Sequence, residues 1–293
     1  MNGKSIRWEK MRLHRERVRL IGGGVLFLLV GSLMGVSSAA ETDDAAAVDK
    51  PSSALREMRT DRPDATESPF TVDPGHFQLE MDLVSHTRDR ADGDQTRESS
   101  IGAFNLRLGL SARTEVGLFI APWTRRSQHL ADGRSLVRKG FGDVGLRAKF
   151  NAWGNDGGGS AGGLIIDVTL PTAANELGND GVQGSVLLPV SLDLGEGWEM
   201  GAMTGVDLRR DTDGSGYRPV LITSATIGHG LTDKIGVYFE LTSQAGEGRH
   251  VATFDTGVTF LVNPNLQFDA GANIGVSRAA DDLGIFAGVA RRF

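Results

Sequence analysis

Apolar and polar residues alternate with a period of two along most of this chain, from about Phe77 to the last residue, Phe293. Two segments show the pattern clearly, with apolar residues at Leu164, Ile166, Val168 and Leu170 in one and at Leu266, Phe268, Ala270, Ala272 and Ile274 in the other. Successive side chains of a β-strand point to opposite faces, so each segment predicts a strand with one apolar and one polar face. The apolar face would pack on a second sheet in a soluble sandwich, whereas in an outer-membrane barrel it would face lipid.

The pattern predicts twelve strands, most of them long enough to cross a bilayer at a tilt. They cover 76–87, 99–110, 114–123, 141–152, 162–171, 184–194, 197–210, 217–229, 234–243, 251–262, 265–277 and 284–293. The segments after odd-numbered strands are polar and mostly long, as at 88–98 and 124–140, whereas those after even-numbered strands are mostly tight turns. This alternation is typical of bacterial outer-membrane barrels. We therefore predict an all-β, up-and-down antiparallel transmembrane β-barrel rather than a sandwich.

The two faces of the predicted strands can be assigned to lipid and lumen. A charged Arg or Lys on the lipid face near the bilayer midplane costs about 2–4 kcal/mol, so the charged face is expected to point inward. Its members are the candidates for solute selectivity: Glu80, Asp82, Arg107, Asp143, Arg147, Lys149, Asp167, Asp207, Arg209, Glu240, Asp255 and Asp269. A purely structural role, in which these charges neutralise one another across the wall, explains them equally well at this stage.

The first 40 residues predict an export signal. A basic segment is followed by an apolar stretch from Ile21 to Val36 and by the small residues Ser38, Ala39 and Ala40, which predicts cleavage after Ala40. Residues 41–75 are rich in Ala, Asp, Ser and Pro and show no sustained period, so they predict a polar periplasmic leader. The barrel would then occupy 76–293.

Composition excludes several classes of function. Cleavage would remove seven basic and two acidic residues and change the net charge from −6 to −11, a poor balance for binding nucleic acid. The absence of cysteine excludes disulfides, thiolate chemistry and zinc–thiolate sites. We predict no metal and no cofactor.

Three motifs resemble a dinucleotide site, a calcium loop and an enzyme site, but each lacks a feature that the site requires. Gly140–Gly145 matches the dinucleotide pattern G-x-G-x-x-G, but it leads into a strand rather than a helix. Residues 211–216 resemble the start of a calcium loop, yet Ile222 stands where the bidentate Glu belongs. His86 and Asp82 fall on one face, but no motif marks a nucleophile for an enzyme.

Several segments resemble the family labelled "MetA-pathway of phenol degradation". They are TDRPDATESP at 60–69, PGHFQLE at 74–80, GFGDVGLR at 140–147, LPT at 170–172 and FDTG at 254–257. The resemblance covers roughly residues 58–293, and the opening motif is its most specific part. It implies a barrel associated with uptake of small, often aromatic or apolar, compounds. Phe293 also resembles the terminal signal that the barrel-assembly machinery reads, although Arg291 replaces a residue that is often apolar in such signals.

These observations predict an outer-membrane channel for passive uptake of small molecules, with outer-membrane lipid, the barrel-assembly machinery and a small solute as partners. A barrel enzyme acting on lipid or peptide and a structural surface barrel remain alternatives. The charged, proline-stiffened motif Asp61, Arg62, Pro63 and Asp64 stands just before the first strand. We expect it to pack at or inside the periplasmic mouth of the barrel.

Overall fold

The computed structural model describes residues 55–211, 216–246 and 248–293, which form strands, turns and loops. In this part of the chain, no helix is long and apolar enough to cross a membrane. The predicted export signal at 1–40 and residues 41–54 of the predicted leader lie outside the described residues.

The described chain contains fifteen strand segments. They are β1 (Phe77–Ala91), β2 (Asp94–Ile101), β3 (Ala103–Ser111), β4 (Thr114–Ile120), β5 (Trp123–His129), β6 (Ser135–Gly140), β7 (Val144–Trp153), β8 (Ser160–Leu170), β9 (Gln183–Gly195), β10 (Trp198–Arg210), β11 (Tyr217–Gly230), β12 (Ile235–Gly246), β13 (Arg249–Asn263), β14 (Leu266–Gly275) and β15 (Leu283–Arg292).

The strands form one closed antiparallel barrel. β1 pairs with β15, from Gln78 opposite Arg292 to Arg88 opposite Leu283, and this pairing joins the two edges of the sheet. Three wall strands are each interrupted once, so that β2 continues into β3, β4 into β5, and β6 into β7. Counted as continuous strands the wall has twelve, which confirms the predicted fold class.

Burial in this barrel is the reverse of that in a soluble protein. On β7, Leu146 and Phe150 are 50% and 42% exposed on the outside, whereas Arg147 and Lys149 between them are 6% and 1% exposed. Large apolar side chains are normally buried and charged ones exposed. The reversal places the apolar residues in contact with lipid and the charged ones in the lumen, as the alternation predicts.

Four neighbouring wall strands are irregular at one height. β1 has a bulge between Asp82 and Val84, and the amide of Gly102, between β2 and β3, donates to the Asp82 carbonyl at 2.9 Å. The amide of Gly142, between β6 and β7, donates to the carbonyl of Ala121, between β4 and β5, at 2.8 Å. Beyond this line the strands continue as two hairpins, β1–β2 and β5–β6. The prediction of loops at 88–98 and 124–140 was therefore wrong, since both segments are largely strand.

The bulge in β1 also reverses the face that each residue presents. Asp82 faces the lumen, but beyond the bulge His86 lies opposite Ile285, which is 51% exposed on the outer wall. The prediction that Asp82 and His86 share a face was wrong because a bulge inserts one extra residue into the strand.

Candidate functional site

Residues 55–76, here called the plug segment, cross the lumen in the half of the barrel that contains the tight turns. The amide of Val72 donates to Glu115 on β4 at 2.7 Å, and the amide of Ala65 donates to Glu240 on β12 at 2.8 Å. β4 and β12 lie on opposite sides of the ring of strands. The plug segment therefore spans the passage from wall to wall.

Asp61 lies at the centre of a basic part of the wall. Its carboxylate is 2.6 Å from Lys149 Nζ and 3.4 and 3.5 Å from Nη1 of Arg107 and Arg147. Burial acts to raise the pKa of Asp61, but Arg107, Lys149 and Arg147 outweigh burial and hold the pKa well below its usual range. Asp61 is thus charged and fixed by three wall cations.

Arg107 carries the largest share of wall contacts in this cluster. Its side chain is fully buried and bonds to Glu80 at 2.6 Å and to Glu115 at 2.8 Å, while Nη2 donates to the carbonyl of Phe70 in the plug segment. A buried guanidinium with such partners satisfies most of its donors, which is the condition for tolerating a charge out of water.

Arg62 is held on the side of the wall nearest the β1–β15 seam. Its guanidinium is 2.7 Å from Asp269 on β14 and 2.6 Å from Asp82 on β1, and it lies over the ring of Phe286 at 5.6 Å. A side chain at Gly288 would overlap the Arg62 guanidinium, so the glycine leaves the space that the guanidinium occupies. Arg62 and Asp61 are adjacent in sequence, and the wall holds Arg62 with carboxylates and Asp61 with cations.

Glu240 binds the turn of the plug segment that follows Pro63. Its carboxylate accepts from the amides of Ala65 and Thr66 at 2.8 and 2.7 Å and also from the Thr66 hydroxyl. That hydroxyl lies 2.7 Å from the hydroxyl of Ser224 on β11. Burial, together with the nearby Glu240 carboxylate, raises the pKa of Asp64 well above its usual value. Asp64 is therefore the one member of the motif whose charge the surroundings disfavour.

Beyond the plug segment the lumen opens into two adjoining cavities of about 450 and 500 Å³, here called the vestibule. Ala65, Val251, Thr253 and Asn273 line both cavities. Seven carboxylates but only two guanidinium groups, those of Arg62 and Arg147, line the described vestibule. The carboxylates belong to Asp64, Glu67, Asp82, Asp167, Asp207, Asp255 and Asp281. The vestibule is large enough for a small organic molecule and carries an excess of negative charge.

One wall of the vestibule is apolar. Leu187, Met203 and Ile222, on β9 to β11, point inward and pack with the fully buried Ile165. The alternation of the sequence does not reveal this patch, because apolar residues occupy both faces of those strands and the period-two signal disappears there. Glu115 and Glu199, the wall partners of Val72 and Arg59, are also absent from the predicted lumen residues.

The predicted lumen residues divide into three groups by location. One group contacts the plug segment: Glu80, Asp82, Arg107, Arg147, Lys149, Glu240 and Asp269. A second lines the vestibule away from it: Asp167, Asp207 and Asp255, with Arg209 paired to Asp207 at 2.6 Å. Asp143 differs from the prediction, since it lies in the break before β7 and accepts from the amides of Thr172, Ala173 and Asn179. It holds the loop after β8.

Histidine–serine pairs occur in the described structure, at His86–Ser99, His129–Ser135 and His250–Ser243, with distances of 2.9, 2.7 and 2.9 Å. Each pair joins neighbouring strands near the rim, and none of these three histidines forms a hydrogen bond with a carboxylate of the described residues. Within the same residues, no group of His, Asp or Glu has the arrangement to hold a metal ion.

Comparison with known proteins agrees with this architecture. The sequence profile described as "Putative MetA-pathway of phenol degradation" matches residues 60–293. The chain belongs to this family. The match begins at residue 60, within the plug segment, so the profile covers most of that segment as well as the wall strands. No protein among those with curated functions matches the chain.

Solved structures similar to this member of the MetA-pathway family are bacterial barrels. The β domain of the Bordetella autotransporter BrkA is 14% identical with a TM-score of 0.52, covering 75% of this chain and 100% of that one. The NanC porin is 8% identical with a TM-score of 0.49, covering 72% of this chain and 98% of that one. The CymD monoaromatic hydrocarbon channel is 11% identical with a TM-score of 0.40, covering 75% and 88%. The BrkA likeness shows the fold, that of an outer-membrane barrel.

Proposed function

We propose that this MetA-pathway family member is a non-enzymatic outer-membrane channel that passively admits small molecules. The observation that carries the proposal is the vestibule, which ends at the plug segment and combines an apolar wall with hydrated polar walls. Such a cavity accepts a solute with an apolar body and a polar group.

The charge of the vestibule favours one class of solute. Asp64, whose charge the surroundings disfavour, leaves six carboxylates against two guanidinium groups, and this excess creates a negative potential in a narrow lumen. Rings of acidic side chains favour cations and oppose anions in channels. We therefore propose neutral or cationic solutes of small size with an aromatic or aliphatic part. The family description refers to phenol, which has an apolar ring, as the patch of Leu187, Met203 and Ile222 would require of a solute.

The plug segment would control passage from the vestibule to the periplasm. Its contacts with the described wall are mostly hydrogen bonds and ion pairs, which water can replace when the segment moves. The inward charges would then have two roles: those of β1, β3, β7, β12 and β14 hold the plug segment, while those of β8, β10 and β13 act on the solute.

Reversal potentials in planar bilayers test the solute class. Trimethylphenylammonium and benzenesulfonate carry the same ring with permanent charges of opposite sign. The expected result is a permeability ratio of at least about tenfold in favour of the cation. The Asp207→Asn/Asp255→Asn variant should lower that ratio, and the Asp132→Asn variant, on the exposed β5–β6 turn, should leave it unchanged. Equal permeability of the two ions would contradict the proposal, as would a barrel that never conducts.

A further inference from the structure

The outer surface of the two extracellular hairpins carries cations without partners. Arg88 on β1 lies directly opposite Arg97 on β2, and Arg125 on β5 lies directly opposite Lys139 on β6. We call these four residues the rim patch. Directly opposed side chains of an antiparallel pair have Cβ atoms about 4.5–5.5 Å apart, and like charges there are destabilising. Two such pairs in adjacent hairpins therefore call for an explanation.

The rim patch faces outward, away from the lumen. Arg88 pairs with Leu283, which is 37% exposed on the outer wall, and Arg97, Arg125 and Lys139 are all exposed. The residues that lie across from Arg97 and Arg125 on the remaining strands are Ser127 and Ser99, which are uncharged. None of the four cations forms an ion pair with a carboxylate of the described residues. One donor, Nε of Arg88, is buried without an acceptor.

The inner face of the same hairpins is built differently. Arg126 pairs with Glu98 at 2.6 Å, and Arg138 pairs with Glu176 at 2.7 Å. The hairpins thus neutralise their inward cations with carboxylates and leave their outward cations without them. This asymmetry indicates that the anions for the outer face come from outside the described residues.

The height of the rim patch identifies the source of those anions. Ile101 and Trp123, opposite each other and 53% and 36% exposed, form the apolar row that precedes the patch on β2 and β5. Tryptophan at the end of a lipid-facing surface is typical of the membrane interface. Arg125 follows Trp123 by two residues, a distance of about 7 Å along a strand. That distance matches the headgroup region, which is about 5–7 Å thick on each side of the hydrocarbon core.

We infer that the rim patch binds an anionic phosphoglycolipid of the outer leaflet. Arginine forms bidentate hydrogen bonds with phosphate, and cations near a membrane surface are attracted to anionic lipid. The four cations would contact headgroup phosphates while Ile101 and Trp123 contact the acyl region. This inference rests on the outer-membrane fold and not on channel activity, so it can hold if the proposed transport function fails.

Binding of a bisphosphorylated lipid A to the full chain in zwitterionic detergent tests the inference, with the dephosphorylated lipid and inorganic phosphate as comparison ligands. The wild-type protein should bind the bisphosphorylated lipid at least tenfold more tightly than either. The Arg97→Gln/Arg125→Gln variant should lose about 30-fold in affinity, the effect of two cations at an anionic surface. The Arg97→Lys/Arg125→Lys variant should stay within about threefold, since the charge is kept.

The Arg126→Gln/Arg138→Gln variant is the matched control, because it makes the same charge change in the same hairpins on the opposite face. Its affinity should stay within about threefold of the wild type. Equal losses in the two Gln variants, equal binding of the dephosphorylated lipid, or displacement by equimolar inorganic phosphate would overturn the inference. The inference would also be overturned if Arg97→Gln/Arg125→Gln changed the oligomeric state and left the lipid affinity unchanged. That result would assign the rim patch to contact with a second copy of the chain. If Arg97→Gln/Arg125→Gln does not fold, each single variant should lose about fivefold, and no loss in either contradicts the inference.

Discussion

The two halves of the lumen are built on different principles. In the half that contains the plug segment, this segment and the wall exclude water and match nearly every charge, as in the cluster of Asp61, Arg107 and Lys149. In the other half the walls surround an open vestibule with unmatched carboxylates such as Asp255, one oxygen of which has no hydrogen-bond partner. Under the proposed function, charge serves closure in one half and solute selection in the other.

The largest expected effect tests the closed half at its centre. Arg107→Met would leave Glu80, Glu115 and Asp61 buried without their shared cation. Loss of one partner from a buried ion pair costs about 3–5 kcal/mol, so the free energy of unfolding should fall by that amount in urea titrations in detergent. Arg209→Met, at the partly exposed pair with Asp207, is the control and should cost less than about 1 kcal/mol. Equal losses of unfolding free energy in Arg107→Met and Arg209→Met would show that the two halves of the lumen do not differ in how they use charge.

A smaller effect is expected when the plug segment alone is changed. Asp61→Asn removes the carboxylate 2.6 Å from Lys149, whose other acidic partner, Glu115, is 3.7 Å away. The cost is about 3 kcal/mol, at the low end for a buried pair, and should fall on the plug segment rather than on the barrel. Hydrogen exchange of the amides of Ala65 and Thr66, which donate to Glu240, should become about 100-fold faster. Exchange in the barrel strands should not change; a uniform increase would mean that the segment and the wall unfold together.

The smallest expected effect is a gain in plug retention, whereas the two changes above are expected to weaken the structure. The pKa of Asp64 is raised on folding, so its contribution to plug retention is present below the unfolded value of about 4 and is lost as the pH rises through the folded value. Asp64→Asn should therefore strengthen plug retention at pH 7 by at least about 1 kcal/mol and make exchange of the plug amides less dependent on pH. The lowered pKa of Asp61 acts in the other direction, since its contribution is lost only as the pH falls below about 4. If Asp64→Asn instead weakened plug retention at pH 7, the Asp64 carboxylate would have to be charged and bound in the folded protein.

The sequence predicted the part of the fold that lipid determines. Where one face of a strand contacts lipid, the other face must be polar, and the resulting alternation located the wall strands to within a few residues. The same logic failed at 88–98 and 124–140, because the hairpins there extend beyond the apolar surface and are polar on both faces. It also missed the bulge after Asp82, which no change of composition marks.

The site could be predicted only as a set of charges. Alternation identified Arg107, Lys149 and Glu240 as inward residues, and the leader motif identified Asp61 and Arg62, but their pairing depends on closure of the barrel. Arg62 meets Asp269, 207 positions away in the chain. Spacing along the sequence carries no information about such a contact, so the division of the lumen into two halves required the structure.

One engineered disulfide tests whether the plug segment must leave its place for a solute to pass. The chain has no cysteine, and the hydroxyls of Thr66 in the plug segment and Ser224 in the wall lie 2.7 Å apart, so Thr66→Cys/Ser224→Cys can lock the segment. Thr242→Cys/Thr253→Cys is the matched control, because those hydroxyls are also 2.7 Å apart but both belong to the wall. Solute flux into proteoliposomes should be lost when the first pair is oxidised and return on reduction, while the control conducts in both states. Undiminished flux through the oxidised Thr66→Cys/Ser224→Cys protein would contradict the account.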